Sequence, residues 1–170
     1  MLANRSTPCP ASRSHHLPRT VAIVGATGAV GREWLRVLEA PRFPLAKLRL
    51  FASPSSAGKA LPFAGLGIAV ETLSQRGFAG VDLALFSAGS GVACEYAPFA
   101  VRDGAVVIDN SSAFRMDPAV PLVLPEINAA AIATHPGIIA NPNGAAVIAL
   151  MALAPIHRHN RIRRAILATY

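Results

Sequence analysis

The chain has 170 residues, 52% of them hydrophobic and 15% charged, with 14 prolines and 13 glycines and a formal net charge of +7. Such a composition supports one domain with a sizeable core; it excludes disorder for the bulk of the chain and is short of the two domains that many cofactor enzymes carry. The charge sits at the ends, with +3 in residues 1–20 and +4 in residues 157–170, while residues 21–156 hold nine basic and nine acidic side chains, so no nucleic-acid partner is expected.

Residues 1–19 (MLANRSTPCPASRSHHLPR) read as a disordered leader. Their Arg- and Ser-rich composition also suits an organellar transit peptide over residues 1–20, although the prolines oppose an amphipathic helix. Cys9 and Cys94 lack a framework of spaced pairs, the usage of a reducing compartment, and a cytoplasmic location is expected. From Thr20 the pattern changes. Thr20 to Gly25 (TVAIVG) is an apolar run of the kind a strand buried on both faces shows. Gly28 to Ala40 carries Val30, Trp34, Leu35 and Leu38 at helical spacing before Pro41. Leu48 to Ser53 is the next strand, followed by a Gly/Pro/Ser-rich stretch and a strand at Leu66 to Leu73. Asp82 to Ser87 is a further apolar strand, leading through a Gly/Ser turn into a helix from Val92 to Val101. Ala105 to Asp109 is another strand, and Asn110 to Pro118 a polar loop. Ile138 to Ala140 is a short strand, Gly144 to Ala154 an apolar helix, and Arg164 to Tyr170 a terminal strand. Apolar strands alternating with helices predict an α/β fold, a Rossmann-like, doubly wound parallel sheet. The longest apolar run, Gly144 to Ile156, has 13 residues, against about 20 for a membrane span, and no membrane partner is expected.

Gly25-Ala26-Thr27-Gly28-Ala29-Val30-Gly31 follows a buried strand and opens a helix. Glycines in that context allow a tight turn, close backbone approach to a pyrophosphate and close helix–strand packing, and the helix N-terminus faces the anion. A dinucleotide site is expected there. The end of the second strand, Ala52 to Lys59, has hydroxyls and a lysine but no carboxylate. That favours the 2′-phosphate of NADP, with NAD possible. Asp109 to Arg115 (DNSSAFR) lies at the carboxyl end of a parallel strand, where the planar fork of Arg115 can clamp a phosphate or carboxylate. Cys94 reads as a small buried hydrophobe, His157 and His159 as solvated side chains, and no metal-ligand set is expected.

In order along the chain, GATGAVG, FAS…SAGK, LFSAGS, VVIDNSSAFRMD, VPLVLPEIN, IIANPN, IALMALAPIH and ATY resemble the N-terminal half of aspartate-β-semialdehyde dehydrogenases, over about residues 20–170. The resemblance to N-acetyl-γ-glutamyl-phosphate reductases, similar in chemistry, is weaker because DNSSAFR is followed by LPEIN. The family resemblance implies a two-domain, dimeric enzyme of lysine, threonine and methionine biosynthesis. It reduces aspartyl-β-phosphate to the semialdehyde with NADPH and releases phosphate, through a thioester on a cysteine thiolate. Residues 20–140 would be the NAD(P)-binding Rossmann domain and 141–170 the beginning of the catalytic and dimerisation domain. Gly25, Thr27, Gly28, Ala29 and Val30 would line the pyrophosphate. Ser53 and Ser56 would lie near the adenosine ribose, and Ser87, Ala88 and Gly89 near the cofactor. Asn110 and Arg115 would hold the substrate phosphate, with Asn143 beside the nucleophile.

Three departures stand out. The family's nucleophilic cysteine directly follows Asn-Pro-Asn at a helix start, where dipole and free N–H groups stabilise a thiolate. Here that position is Gly144, with Ala145 and Ala146 next, so no catalytic residue is intact. Ser55, in turn, stands where many relatives have an arginine for the 2′-phosphate. The family's glutamine, acid/base histidine and second substrate arginine would lie beyond Tyr170, so the chain is expected to be a truncated or divergent copy without activity. The competing readings are a non-catalytic dinucleotide-binding module that pairs with a full-length homologue, and a degenerate fragment.

Overall fold

The structure is a computed structural model that describes residues 19–40 and 43–169. The expected leader lies outside the described residues apart from Arg19, as do Cys9 and Tyr170. The chain order is β1 (Arg19–Val24), α1 (Ala29–Leu38), β2 (Leu45–Ala52), a 3-10 turn (Pro54–Ser56), β3 (Ala60–Phe63) and β4 (Leu66–Thr72). It continues through β5 (Leu83–Phe86), α2 (Ser90–Arg102), β6 (Val106–Asp109), α3 (Pro125–Asn128), a 3-10 segment (Ala129–Thr134), β7 (Ile138–Ala140) and α4 (Gly144–His159). The seven strands form one sheet in the order β3-β4-β2-β1-β5-β6-β7, and every neighbouring pair is parallel except β3 with β4. This is the expected Rossmann-like α/β architecture.

The apolar strands are apolar because both their faces are covered. On one face Ala22, Val24, Phe51, Phe78, Phe86 and Val107 pack under the small-residue stripe Ala93, Ala97 and Ala100 of α2. Phe78 bridges Phe51 and Phe86, with ring centroids 5.6 and 5.9 Å away. On the other face Val21, Ile23, Leu50, Val70 and Leu85 pack under Leu35 and Leu38 of α1. Alternate residues of β1 therefore serve opposite faces, as the period of two requires. Each fully buried Phe or Leu contributes roughly 1.5–3 kcal/mol, which makes β1, β2 and β5 the most strongly held part of the sheet.

Local structure departs from the expected pattern at four places. The Gly/Pro/Ser-rich stretch contains β3, which folds back on β4 through Ala64 and Gly65. Both turn residues have positive φ, 48° and 78°, the condition for a hairpin turn whose twist matches its strands. An alanine in the first turn position hid that signal. Second, Pro125–Asn128 and Ala129–Thr134, where no element was expected, are helical turns within a segment lacking periodicity. The apolar helix, third, does not stop at Ala154. Pro155 removes only its own N–H bond, and α4 runs to His159, where Asn160 N–H donates to Ile156 O and Arg158 donates to the Glu126 carbonyl. Finally, no strand forms over 164–169. These residues have no ladder partner, and Ile166 and Leu167 are exposed.

Between β2 and β4, the Arg49 guanidinium donates Nε to Glu71 Oε1 at 3.0 Å and stacks 4.8 Å over the Phe51 ring. The hydrogen bond from Arg49 holds the Glu71 carboxyl below the usual carboxylate range. A depressed carboxylate stabilises the fold fully above its unfolded pKa, about 4.3, and loses that contribution as pH falls through the lower folded value. Because the pair is partly exposed, about 1 kcal/mol or less is at stake. Glu71→Gln is expected to flatten the acid limb of the melting temperature below about pH 4.5 without altering the neutral plateau in shape. An unchanged acid limb would count against the pair.

Candidate functional site

The chain leaves β1 toward β2 on one side and later returns to pair β5 on the other. The carboxyl ends of β1 and β5 therefore flank a topological switch point, the crevice where open parallel sheets take ligands. Gly25 turns the chain there with φ +88°, and the N–H groups of Gly25 and Ala26 both donate to Phe51 O. A Cβ on Gly25 would lie 3.0 Å from the Ala88 nitrogen, so glycine keeps a cradle between the β1 and β5 turns. Thr27 is half-buried, whereas Gly28, Ala29 and Val30 are exposed. Gly28 caps α1 without a side-chain bond, which leaves the first helical N–H groups free for an anion.

Across the crevice, Ser87 N–H donates to Val24 O and Ser87 is half-buried. Ala88 and Gly89 are exposed, and Gly89, at φ +91°, caps α2 without a side-chain bond. Two open helix N-termini thus start from adjacent strands. At the end of β2, Ser53 is exposed, Ser56 is half-buried, and Ser53 Oγ lies 2.9 Å from Ser55 Oγ. The expected cofactor residues Gly25, Thr27, Gly28, Ala29, Val30, Ser53, Ser56, Ser87, Ala88 and Gly89 therefore all lie at the carboxyl ends of three adjacent strands, β2, β1 and β5. The cradle and the uncapped helices fit a dinucleotide pyrophosphate.

The next two strand ends carry the other candidates. Asn110 follows β6 and Arg115 lies five residues on; both are half-buried. Arg115 is held rather than solvated: Nε donates to Asn141 O at 2.9 Å and Nη2 to Asn110 O at 3.0 Å. Asp109, fully buried at the end of β6, accepts from Ser111 N–H at 3.0 Å and from Ser111 Oγ at 2.7 Å. After β7, Asn143 caps α4, its Oδ1 accepting from Ala145 N–H at 2.9 Å. Gly144 is the first helical residue, and a Cβ there would meet nothing within 4 Å. Sequence reasoning singled out the loop from Asp109 to Arg115 but gave Asp109 and Ser111 no role within it, and it missed Asn141. The signal was present for Asn141, an Asx residue before proline at a strand end.

Cys94 is a correction. It is exposed, because the buried stripe of α2 runs through Ala93, Ala97 and Ala100 and position 94 turns about 100° away from it. His157 and His159 are exposed, as expected. A groove of about 410 Å³ between α1 and β3, lined by Arg32, Leu35, Arg36, Glu39, Leu61 and Pro62, contains none of the candidate residues.

Residues 20–135 match the family model of the semialdehyde dehydrogenase NAD-binding domain. The chain belongs to this family. Its match spans β1 through the 3-10 segment, and the strand-end turns just described lie within it, up to Arg115. The aspartate-semialdehyde dehydrogenase of Synechocystis is 50% identical over 153 residues, covering 90% of this chain and 45% of that protein. The crystal structure of Vibrio cholerae aspartate semialdehyde dehydrogenase II, complexed with ASA, superposes with a TM-score of 0.79 at 46% identity, over 82% of this chain and 46% of that one. The Candida albicans enzyme, solved with NADP, gives a TM-score of 0.68 at 25% identity, over 85% and 48%. The chain thus spans about half the length of the relatives it matches. Among its described residues no helix is long and apolar enough to cross a membrane.

Proposed function

We propose that the chain is the NADP-binding half of an aspartate-semialdehyde dehydrogenase that does not itself catalyse the reaction. A single observation carries this reading: the position after the Asn143 cap, where the family resemblance implies the nucleophilic thiol, is a glycine with open space around it. No other described side chain supplies a thiol at that helix start, since Cys94 lies on the exposed face of α2. Covalent catalysis through a thioester needs that thiolate.

The pyrophosphate would rest on the turn from Gly25 to Val30 and the N-terminus of α1, with Ser87, Ala88 and Gly89 on the facing turn. Ser53 and Ser56 would lie toward the ribose. The dinucleotide supplies the hydride of the family reaction. Asn110 and Arg115 would present N–H donors to a substrate phosphate or carboxylate. The substrate class of the whole enzyme is aspartyl-β-phosphate, or the semialdehyde and phosphate in the reverse direction, and its location cytoplasmic.

Purified chain is expected to show no phosphate-dependent reduction of NADP with aspartate semialdehyde. Turnover above background that disappears with Cys94→Ser would overturn the reading. Calorimetry is expected to show weak dinucleotide binding with a several-fold preference for NADPH over NADH, reduced from a stronger one because Ser55 offers no guanidinium to the 2′-phosphate. Equal affinities, or a preference for NADH, would remove the NADP assignment.

A second reading has its own support. Ile148, Leu150, Met151 and Ile156 of α4 are exposed together with Ile166 and Leu167. Apolar surface on that scale marks an interaction site, which favours a non-catalytic module that forms a homodimer or pairs with a full-length homologue. Co-purification of tagged chain with a full-length homologue supports it, and a monodisperse monomer in the presence of that homologue counts against it.

A further inference from the structure

This inference rests on the oxyanion reading of Asn110 and Arg115 and adds a residue that the reading does not use. The ends of β6 and β7 are tied together by four hydrogen bonds. Asn141 Nδ2 donates to Asn110 Oδ1 at 2.7 Å, and Asn141 N–H donates to Asp109 O at 2.8 Å. Arg115 donates to Asn141 O and Asn110 O at 2.9 and 3.0 Å. Beneath this clasp, Asp109 and Ser111 brace the loop, and Ser111 Oγ in turn accepts from Ala113 N–H at 3.1 Å.

A carboxamide has an acceptor end and a donor end. Asn141 holds the Oδ1 end of Asn110, which turns the Nδ2 donors of Asn110 to the side away from Asn141, where a ligand would meet them. Arg115 has no acceptor at all, and with Nε and Nη2 engaged on the two carbonyls it keeps Nη1 for a ligand. The pair therefore presents donors only, a polarity that suits a phosphate dianion and repels a ligand donor or cation. A reversed Asn110 would instead set a carbonyl lone pair against the anion while Arg115 still attracted it.

We propose that Asn141 is a positioning residue that sets the donor polarity of the phosphate site through the side chain of Asn110. The test uses the full chain labelled with 15N and titrated with inorganic phosphate, read at the Asn side-chain amides and the Arg115 guanidinium. Phosphate is expected to shift Asn110 Nδ2 and Arg115 signals, and the Asn141 Nδ2 protons should exchange with water more slowly than those of Asn110. Asn141→Leu removes the donor without adding charge, and phosphate affinity is expected to fall about fivefold, the net scale of one ordinary hydrogen bond. In an Asn110→Leu background the same change is expected to alter affinity less than twofold, because the effect passes through Asn110. NADPH affinity is expected to hold in both backgrounds.

Equal losses in the two backgrounds, or no loss in the native one, would overturn the positioning role and leave the oxyanion reading standing. No phosphate-dependent shift at Asn110 or Arg115 in the unmodified chain would overturn both. Should Asn141→Leu fail to fold, the exchange rates in the unmodified chain decide: Asn141 Nδ2 protons exchanging as fast as those of Asn110 would also sink the proposal.

Discussion

Gly31→Ala is expected to destabilise the domain by about 3 kcal/mol, at the upper end for an overpacked site, and to abolish dinucleotide binding. A Cβ at position 31 would sit 2.4 Å from Gly25 O and 2.7 Å from the Ala26 Cα. Both atoms belong to the backbone of the turn, so no side chain can rotate aside. To admit the methyl group, α1 must move off β1, which separates Leu35 and Leu38 from Ile23 and Leu50 and displaces the helix start from the crevice. Gly144→Ala is the control, since the new methyl group meets nothing within 4 Å and improves a helical position. Urea midpoints and NADPH calorimetry on the two variants give the contrast. A Gly31→Ala protein that melts and binds like the native chain would show that the turn and helix are not packed as described.

Gly144→Cys is expected to fold normally, to gain a reactive thiol, and still to show no turnover. Space around position 144 is open, and the substituted side chain would follow the Asn143 cap at the start of α4. Free N–H groups and the helix dipole stabilise a thiolate there. Cys94 lies four residues inside α2 and has no such environment. Alkylation near neutral pH is therefore expected to be about threefold faster at the new thiol than at Cys94, the net effect of a larger thiolate fraction and a slightly weaker nucleophile when a thiol pKa falls by roughly one unit. Activity stays absent because a thiolate needs an acid/base group beside it, and the described histidines lie elsewhere, His135 before β7 and His157 and His159 at the far end of α4. Restored turnover with Gly144→Cys alone would mean that the described half holds a sufficient acid/base group. Equal alkylation rates would mean that the start of α4 is not an activating environment.

Much of this was legible in the sequence because the apolar strands and the glycine spacing follow from local physics. β1, β5 and β6 read as buried runs since both faces of their sheet are covered. The turn from Gly25 to Gly31 was visible because glycine alone satisfies a positive φ at position 25 and the contact at position 31. The family resemblance and the glycine at position 144 were equally plain, being matters of residue identity and order.

Other features required the third dimension. Cys94 is small and apolar by type, but the side of α2 that faces the sheet is set by helix phase. The hairpin of β3 and β4 depends on positive φ at Ala64, a conformation that the local partners enforce and alanine does not announce. Residues 164–169 have the composition of a strand and stay unpaired, because a strand exists only with a ladder partner. The two carbonyl partners of Arg115 appeared only once the fold brought the β7 end beside the β6 end. Residue type and local pattern thus determined strands β1, β5 and β6, the glycine turn after β1 and the glycine at position 144. Contacts between residues 31 apart, such as Asn110 with Asn141, were decided by strand order, which no local pattern encodes.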